Sequence, residues 1–583
     1  MEEIFNHIDR EIQAKSSNSA LLLLRQARHQ HPSSPYLLFY EGEYRKLIGS
    51  KEATVVLPYY KKAAELLKND LKIQKTYAIS LSNCGHYLAA IECFRRVLRL
   101  DAENIESLET IAGILFKLNR IIPCAKICTT ILSLKPNHTK IYELLGDCYT
   151  ICGRTKDAAH IYETLAKSST GGNVVASKYL AVLNNMNYDA ETLFEHYQKH
   201  RTAFEPKYEF PRPYLFNMRK MRVGFISPNF NENDSKYLLL LGLFEFYDRD
   251  DFEFYIYSDS KSFDFVSKQF QRYADSWEDV SDLSDEQLAD KITADKITIL
   301  VDLLGHIEGN RICTFGFRPA PVQVSYSGHF LTTGLKSIDY KIVNRNVCSP
   351  DMQLYYTEKL HFFPMSLLNY TFPNKVPYYN PDFFWKRKTR VFGVFCNPDK
   401  ITPETIDLWA KVLKEIPTAT LLIRHARFSD VKLQELFLSK FMVQGVNDNR
   451  VRFGKHIEDK YEYLEQYQNV DICLDSVAMS NYISVIEAAL LGVPTITLRG
   501  KCQRQRIAAD INKAIGLQEF IAEDENAFVA IAKKYNANAM ALANIKQNMR
   551  EKMSFSDLCD SRTFAKEFCK SLRTMKNEIA GFD

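Results

Sequence analysis

The first third of this chain repeats itself every 34 residues. Gly146, Ala112 and Ala78 stand one period apart, and Gly42 follows the same column after two extra residues. A second small-residue column holds Ala158, Cys124, Ala90 and Ala20. Between them run columns of large residues: Tyr142 with Leu108, Leu145 with Ile111, Tyr149 with Leu115 and Leu81, and Tyr162 with Cys128, Phe94 and Leu24. Small residues let the two helices of one hairpin approach closely, and large ones fill the space between neighbouring hairpins. The period therefore predicts stacked helical hairpins over residues 1–205.

The repeat spacing resembles tetratricopeptide repeats over about four and a half units. That likeness implies a groove holding a polypeptide; a structural spacer or dimer arm is the other reading. The 583 residues leave room for further domains. A formal charge of +4 is too small to argue for nucleic acid or a membrane surface. The longest apolar runs, such as 237–244, fall far short of the roughly 20 residues of a membrane span. Thirteen scattered cysteines and a start at Met1-Glu-Glu-Ile without signal-peptide character predict reduced thiols in a cytoplasmic protein. Cys148 and Cys152 lie one turn apart on a helix and read as core.

From Met221 short apolar runs alternate with helical segments, which predicts doubly wound parallel sheets. Strands are expected at 221–227, 252–257, 297–303, 322–326, 340–343 and 360–363, then at 390–397, 421–423 and 449–453. Asp248-Arg-Asp250 resembles an acidic metal motif but lies before a strand, the wrong edge for a ligand, and reads as a solvated turn. One stretch concentrates the chemistry. Asp471–Asp475 reads as a buried strand, residues 476–484 as a polar loop opening a helix, and Gly492 as its end before a strand at 493–497. Such a unit points main-chain N–H groups and a positive dipole end at the sheet's carboxyl edge, a place suited to a diphosphate.

The segments Leu300–His306, Arg318-Pro-Ala-Pro-Val-Gln-Val324, Thr332–Leu335, Ile338–Tyr340 and Asn187–His196 resemble the O-GlcNAc transferase/SPINDLY family of protein glycosyltransferases. The likeness runs from the repeats to about residue 540. It implies a helical repeat array (1–205) followed by a GT-B fold of two Rossmann-like domains: an acceptor-side domain (206–386) and a nucleotide-sugar-binding domain with C-terminal helices (387–583). A charged helical tail is expected to cross back to the first of these. Lys400 matches the family's diphosphate lysine, Lys460 and Tyr463 the base-holding positions, and Glu487 the acid that grips the ribose. Asn481, Tyr482, Ile483 and Ser484 replace the family's Gly-His-Thr-Thr and keep its main-chain donors. His329 and Thr332 fall in the loop matching Gly-Tyr-Pro-Gly-Thr near the active site. Arg318 reads equally as loop buttress or ligand contact.

Where the family carries a histidine after the first strand, this chain has Asn233, which cannot act as a base near neutral pH. Asp234, His306 or a water molecule remain as proton acceptors, with His306 the preferred one because it follows a strand at its carboxyl edge. The expected function is an inverting, metal-independent protein O-glycosyltransferase that needs no cofactor. It would move GlcNAc from UDP-GlcNAc to Ser or Thr, with a protein acceptor as partner, in a homo- or hetero-oligomer or alone. The alternatives are another donor such as UDP-glucose or GDP-fucose, asparagine as acceptor, or a non-catalytic peptide-binding subunit.

Overall fold

The computed structural model describes residues 2–49, 53–168, 172–206, 212, 219–232 and 235–581. The chain divides into two compact units, Met1–Cys148 and Tyr149–Asp583. In the first, helices pair as Glu2–Gln13 with Ser17–Gln30, Pro35–Leu47 with Ala53–Leu66, Leu71–Asn83 with Tyr87–Leu100, and Ile105–Lys117 with Ile121–Leu134. The small-residue columns are buried throughout: Ala20, Gly42, Ala78, Ala90, Ala112 and Cys124. Gly42 shows why: a Cβ there would lie 2.8 Å from the Tyr60 ring on the partner helix. Asp70 and Asn104 start their helices by accepting from the main-chain N–H of Ile73 and Ser107. Cys148 is buried, and among the described residues no group of His, Cys, Asp and Glu is placed to hold a metal ion.

The second unit starts within the helix Thr139–Ile151 and continues through Thr155–Lys167, Gly172–Leu183 and Ala190–His200. Two sheets follow. The first contains β1 (Met221–Ser227), β2 (Phe252–Ser258), β3 (Ser276–Asp279), β4 (Ile299–Asp302), β5 (Val322–Ser325), β6 (Tyr340–Val343) and β7 (Lys359–Phe362). Their order is β3-β2-β1-β4-β5-β6-β7, all parallel. The second contains β8 (Val391–Phe395), β9 (Thr420–Arg424), β10 (Val451–Phe453), β11 (Ile472–Leu474), β12 (Thr495–Leu498) and β13 (Ile521–Ala522). Their order, β10-β9-β8-β11-β12-β13, repeats the same winding. Each sheet reverses direction at one place, between β1 and β4 and between β8 and β11, and opens a crevice at the carboxyl ends there. The central strands β4 and β5 are buried on both faces, as covered parallel strands must be. The sequence missed β3 and β13, both edge strands. β3 reads Ser-Trp-Glu-Asp and β13 has two residues, so neither carries an apolar run.

The chain's end ties the two sheets together. After Ala539–Ser554, the helix Ser561–Ala580 packs on the first α/β domain. Leu558 accepts from Tyr370 N at 2.7 Å and Asn369 Nδ2 at 3.1 Å, and Glu578 accepts from Tyr340 Oη at 2.7 Å and Lys359 Nζ at 2.8 Å. Arg573 pairs with Asp251 and, at 3.5 Å, with Asp248. The acidic turn at 248–250 thus docks the tail, as its place at the wrong sheet edge allows. Asp510 adds a rivet: its buried carboxylate accepts from Asn344 and Asn346 Nδ2 at 3.0 and 2.8 Å and from Leu367 N at 3.0 Å. Arg318 is a buttress, pairing with Asp339 at 3.1 Å and donating to Lys336 O at 3.1 Å. No described helix is long and apolar enough to cross a membrane.

Gly242 lies where the final helix docks. A Cβ there would meet Ser561 Oγ at 2.2 Å and Asn369 Oδ1 at 2.8 Å. Gly242→Val is expected to cost about 1–3 kcal/mol and to quicken hydrogen exchange over 561–580. Thermal melting with exchange mass spectrometry checks this; an unchanged melting temperature refutes the docking.

Candidate active site

Two loops meet at the crevice between β8 and β11. The first runs from Cys396 through the short turn Pro398–Lys400 to Thr402, whose hydroxyl caps the helix Pro403–Glu415. Arg427, just past β9, steadies it by donating to Asn397 Oδ1 at 2.8 Å. The second loop spans residues 475–481. Its centre is Asp475, 2% exposed, which accepts from Ser476 N, Asn481 N and Thr497 Oγ1, each at 2.9 Å. Burial raises the Asp475 pKa against the pull of those donors. Val477 N donates to Thr405 Oγ1 at 3.1 Å, and Ser476 Oγ donates to Met479 O at 2.6 Å. The loop is held along its length before any ligand arrives.

Lys400 reaches from the first loop to the second. Its Nζ donates to Ser480 O at 3.4 Å and lies 5.9 Å from the Tyr482 ring centre. Part of its side chain stays open to solvent. Desolvation nonetheless lowers its pKa, opposed by Asp399 and reinforced weakly by Lys236 from the first α/β domain. The helix Tyr482–Leu490 begins here, and its first residue is preceded by Asn481, which makes no side-chain cap. The Asn481 amide turns back instead to Ser476 Oγ at 2.9 Å. The Lys400 ammonium therefore lies beside a helix start at which Asn481 makes no side-chain cap, an arrangement that favours an anion.

The residues around Glu487 form one contiguous patch. Ser484 Oγ donates to Phe395 O, while Ile483 beside it is half-buried. The Phe395 ring stacks on Tyr467 at 3.8 Å and meets Tyr463 edge-on at 6.1 Å. Lys460 Nζ sits 5.1 Å from the Tyr463 ring centre and bonds Glu487 Oε1 at 2.5 Å. Glu487 is 3% exposed and also accepts from Ser235 Oγ at 3.2 Å and Tyr467 Oη at 3.1 Å. Lys400, Lys460, Tyr463, Asn481, Tyr482, Ile483, Ser484 and Glu487 are thus brought together at one sheet edge.

The acceptor-side histidines are not part of that surface. His306 is 1% exposed; its Nε2–H donates to Thr333 O at 2.8 Å and its Nδ1 accepts from Ser177 Oγ at 3.3 Å. The ring packs against Phe204 and Tyr197, and burial pulls its pKa down to about 4. A ring with both nitrogens engaged and no solvent path does not suit the exposed base expected from sequence. His329 is turned inward too, bonding Thr332 O at 3.0 Å, with its pKa pushed well below the usual range by burial. Thr332 donates to buried Glu358 at 2.7 Å, so its hydroxyl also serves the interior rather than a nucleotide sugar. Their loop still reaches the donor helix, through Phe330, whose ring meets Tyr482 edge-on at 5.1 Å. Asn233 and Asp234 lie outside the described residues.

Sequence reasoning passed over Lys236, Arg427 and His425. His425 follows β9, and burial with Arg427, His456 and Lys400 nearby takes its pKa down to about 3. The available signal was position: β9 pairs with β8, so basic residues just past its carboxyl end fall beside the crevice.

The model for glycosyl transferase family 41 matches residues 194–373 and 385–568. The chain is 28% identical over 362 residues to a probable UDP-N-acetylglucosamine–peptide N-acetylglucosaminyltransferase SPINDLY of Petunia hybrida, covering 61% of this chain and 39% of that protein. A probable enzyme of the same description, SEC of Arabidopsis thaliana, is 27% identical over 343 residues, covering 57% of this chain and 34% of the relative. The chain thus spans well under half the length of these curated relatives. A solved Thermobaculum terrenum O-GlcNAc transferase mutant superposes with a TM-score of 0.78 at 24% identity, over 87% of this chain and 98% of that one, and shares the fold. With a family match on both α/β domains and the same two sheets in space, the chain belongs to glycosyl transferase family 41.

Proposed function

We propose that this chain is an inverting protein O-glycosyltransferase that moves GlcNAc from UDP-GlcNAc to Ser or Thr. The observation that carries the reading is the Lys400 ammonium, 3.4 Å from Ser480 O beside an uncapped helix start at a sheet's switch point. The names of the SPINDLY and SEC relatives support the peptide acceptor and the UDP-GlcNAc donor. Residues 1–205 hold the polypeptide, 206–386 present its hydroxyl, and 387–583 bind the nucleotide sugar. Thirteen free cysteines fit a reducing, cytoplasmic setting.

In the reaction, the acceptor oxygen forms a bond to the anomeric carbon as the bond to the diphosphate oxygen breaks. Negative charge grows on the departing UDP. Lys400 and the N–H groups opening the Tyr482 helix stabilise that charge more in the transition state than in the ground state, and they do so without a metal ion. Lys460, Tyr463 and Glu487 frame the nucleoside. With His306 sealed in the interior, the hydroxyl proton goes to Asp234 or to water. Asp234 precedes Ser235, whose hydroxyl accepts from Lys460 Nζ at 2.6 Å across the cleft.

Calorimetry with UDP, then UDP-GlcNAc, on the wild type and on Lys400→Ala tests the site. The wild type should bind both, and the variant should lose about 10²–10³-fold in turnover. No heat from either nucleotide would favour a non-catalytic peptide-binding subunit, and turnover with UDP-glucose or GDP-fucose in a donor panel would reassign the sugar. EDTA should leave turnover unchanged. Asp234→Asn should lower kcat with UDP affinity intact; an unaltered kcat hands the proton to water.

The pH dependence of stability separates His306 from the chemistry. Its folded pKa near 4 lies below the unfolded value of about 6.5. As pH falls between these values the unfolded chain takes up the proton first, so stability drops on the acid side. A His306→Gln variant should lose that slope in denaturant titrations while keeping the shape of the pH–rate profile between about pH 5 and 8. Loss of the acid limb, where a base is switched off by protonation, would restore His306 as the base.

A further inference from the structure

The loop after β11 is fastened to the segment at Asn184, and one side chain, 320 residues beyond Asn184, makes the join. Arg504 is the second residue of the helix Gln503–Ala514 and is fully buried. Its Nε donates to Asn184 O and Ala478 O, both at 3.1 Å. Its Nη2 donates to Met186 O at 3.0 Å and Tyr188 O at 2.9 Å. Its own carbonyl accepts from Ser480 N at 3.0 Å. Among the described residues the titratable groups around the guanidinium are Cys502, Tyr197 and Tyr356, no carboxylate pairs with it, and Nη1 is buried without a hydrogen-bond partner.

A buried guanidinium without a counter-ion is a poor choice for stability alone, because desolvation of the charge is not repaid by an ion pair. What arginine supplies is a rigid fork of donors. Here the fork gathers carbonyls from two irregular stretches. One is the connector 184–188, between the helices Gly172–Leu183 and Ala190–His200. The other is residue 478, in the loop that carries Ser480 and Asn481. Ser480 is gripped from both sides, its N–H by Arg504 O and its carbonyl by Lys400 Nζ.

We infer that Arg504 is a positioning residue that couples connector 184–188 to the diphosphate loop. The inference rests on the reading of that loop as the donor site and names what holds the loop in place.

Hydrogen exchange on the wild type with and without UDP is the first arm. UDP should slow exchange at 184–188 together with 476–481; slowing at 476–481 alone overturns the coupling. The second arm uses Arg504→Lys, which keeps charge without the fork, and Arg504→Met, each first shown by melting to fold. UDP affinity should weaken about tenfold or more, with donor KM rising in step and kcat changing by less than about threefold. Millimolar guanidinium should restore affinity to Arg504→Ala. Wild-type affinity in the Lys and Met variants overturns the inference and leaves the transferase reading standing. Failure of the wild type to bind UDP sinks that reading instead. Exchange in Arg504→Lys, quickened at both segments or at one, then decides the coupling by itself.

Discussion

A buried carboxylate, Asp475, governs the loop that meets Lys400. Asp475 closes β11 at the point where the second sheet changes winding direction, and it accepts from both ends of the loop that follows. A loop of polar residues at a sheet edge would ordinarily sample many conformations, and a diphosphate would then have to order it on binding. The buried acid removes that cost beforehand. Its raised pKa records what the arrangement costs: the charge is tolerated because main-chain donors surround it. Lys400 can rest on Ser480 O only because Asp475 has already turned that peptide toward the crevice.

The second constraint is the way the two sheets are held facing each other. Asp510 is satisfied by amides of the other domain rather than by a cation. The last helix crosses back and spreads a hydrogen bond to β6 and ion pairs to β7 and the turn before β2. Exposed ion pairs of this kind add little stability each. Their value is geometric, since they set which face of the first domain meets the donor loop. Phe330 against Tyr482 and Ser235 against Glu487 are the contacts that result.

The grouping of Lys400 with the 480–487 stretch was largely legible in the residues. A lysine after one strand and a helix opened by polar residues after another follow from local pattern and charge, and the switch-point rule brings them together. The inward turn of the histidines was not legible. His306 follows β4 at the expected edge, but whether a histidine there meets solvent depends on what covers it. The cover is Phe204, Tyr197 and Ser177, contributed by helical sequence that precedes β1. No spacing within the Leu300–His306 segment reports that. The same holds for Thr332, whose hydroxyl is taken by Glu358, a residue that reads as an unremarkable acid in a strand-flanking turn.

What the sequence determined by itself is whatever depends on short-range periodicity: the 34-residue helical hairpins and the parallel strands with apolar cores; the family came separately, from the likeness of particular segments. These follow because helix and strand periods and small-residue columns act within a few dozen residues. Only the tertiary structure decided which polar side chains face the cleft and which are spent inside. It turned His306 and His329 inward and placed Arg504 among carbonyls as far as 320 residues away. Burial and desolvation are properties of the whole packed assembly, so a residue's chemistry is settled by neighbours that its own stretch of sequence does not contain.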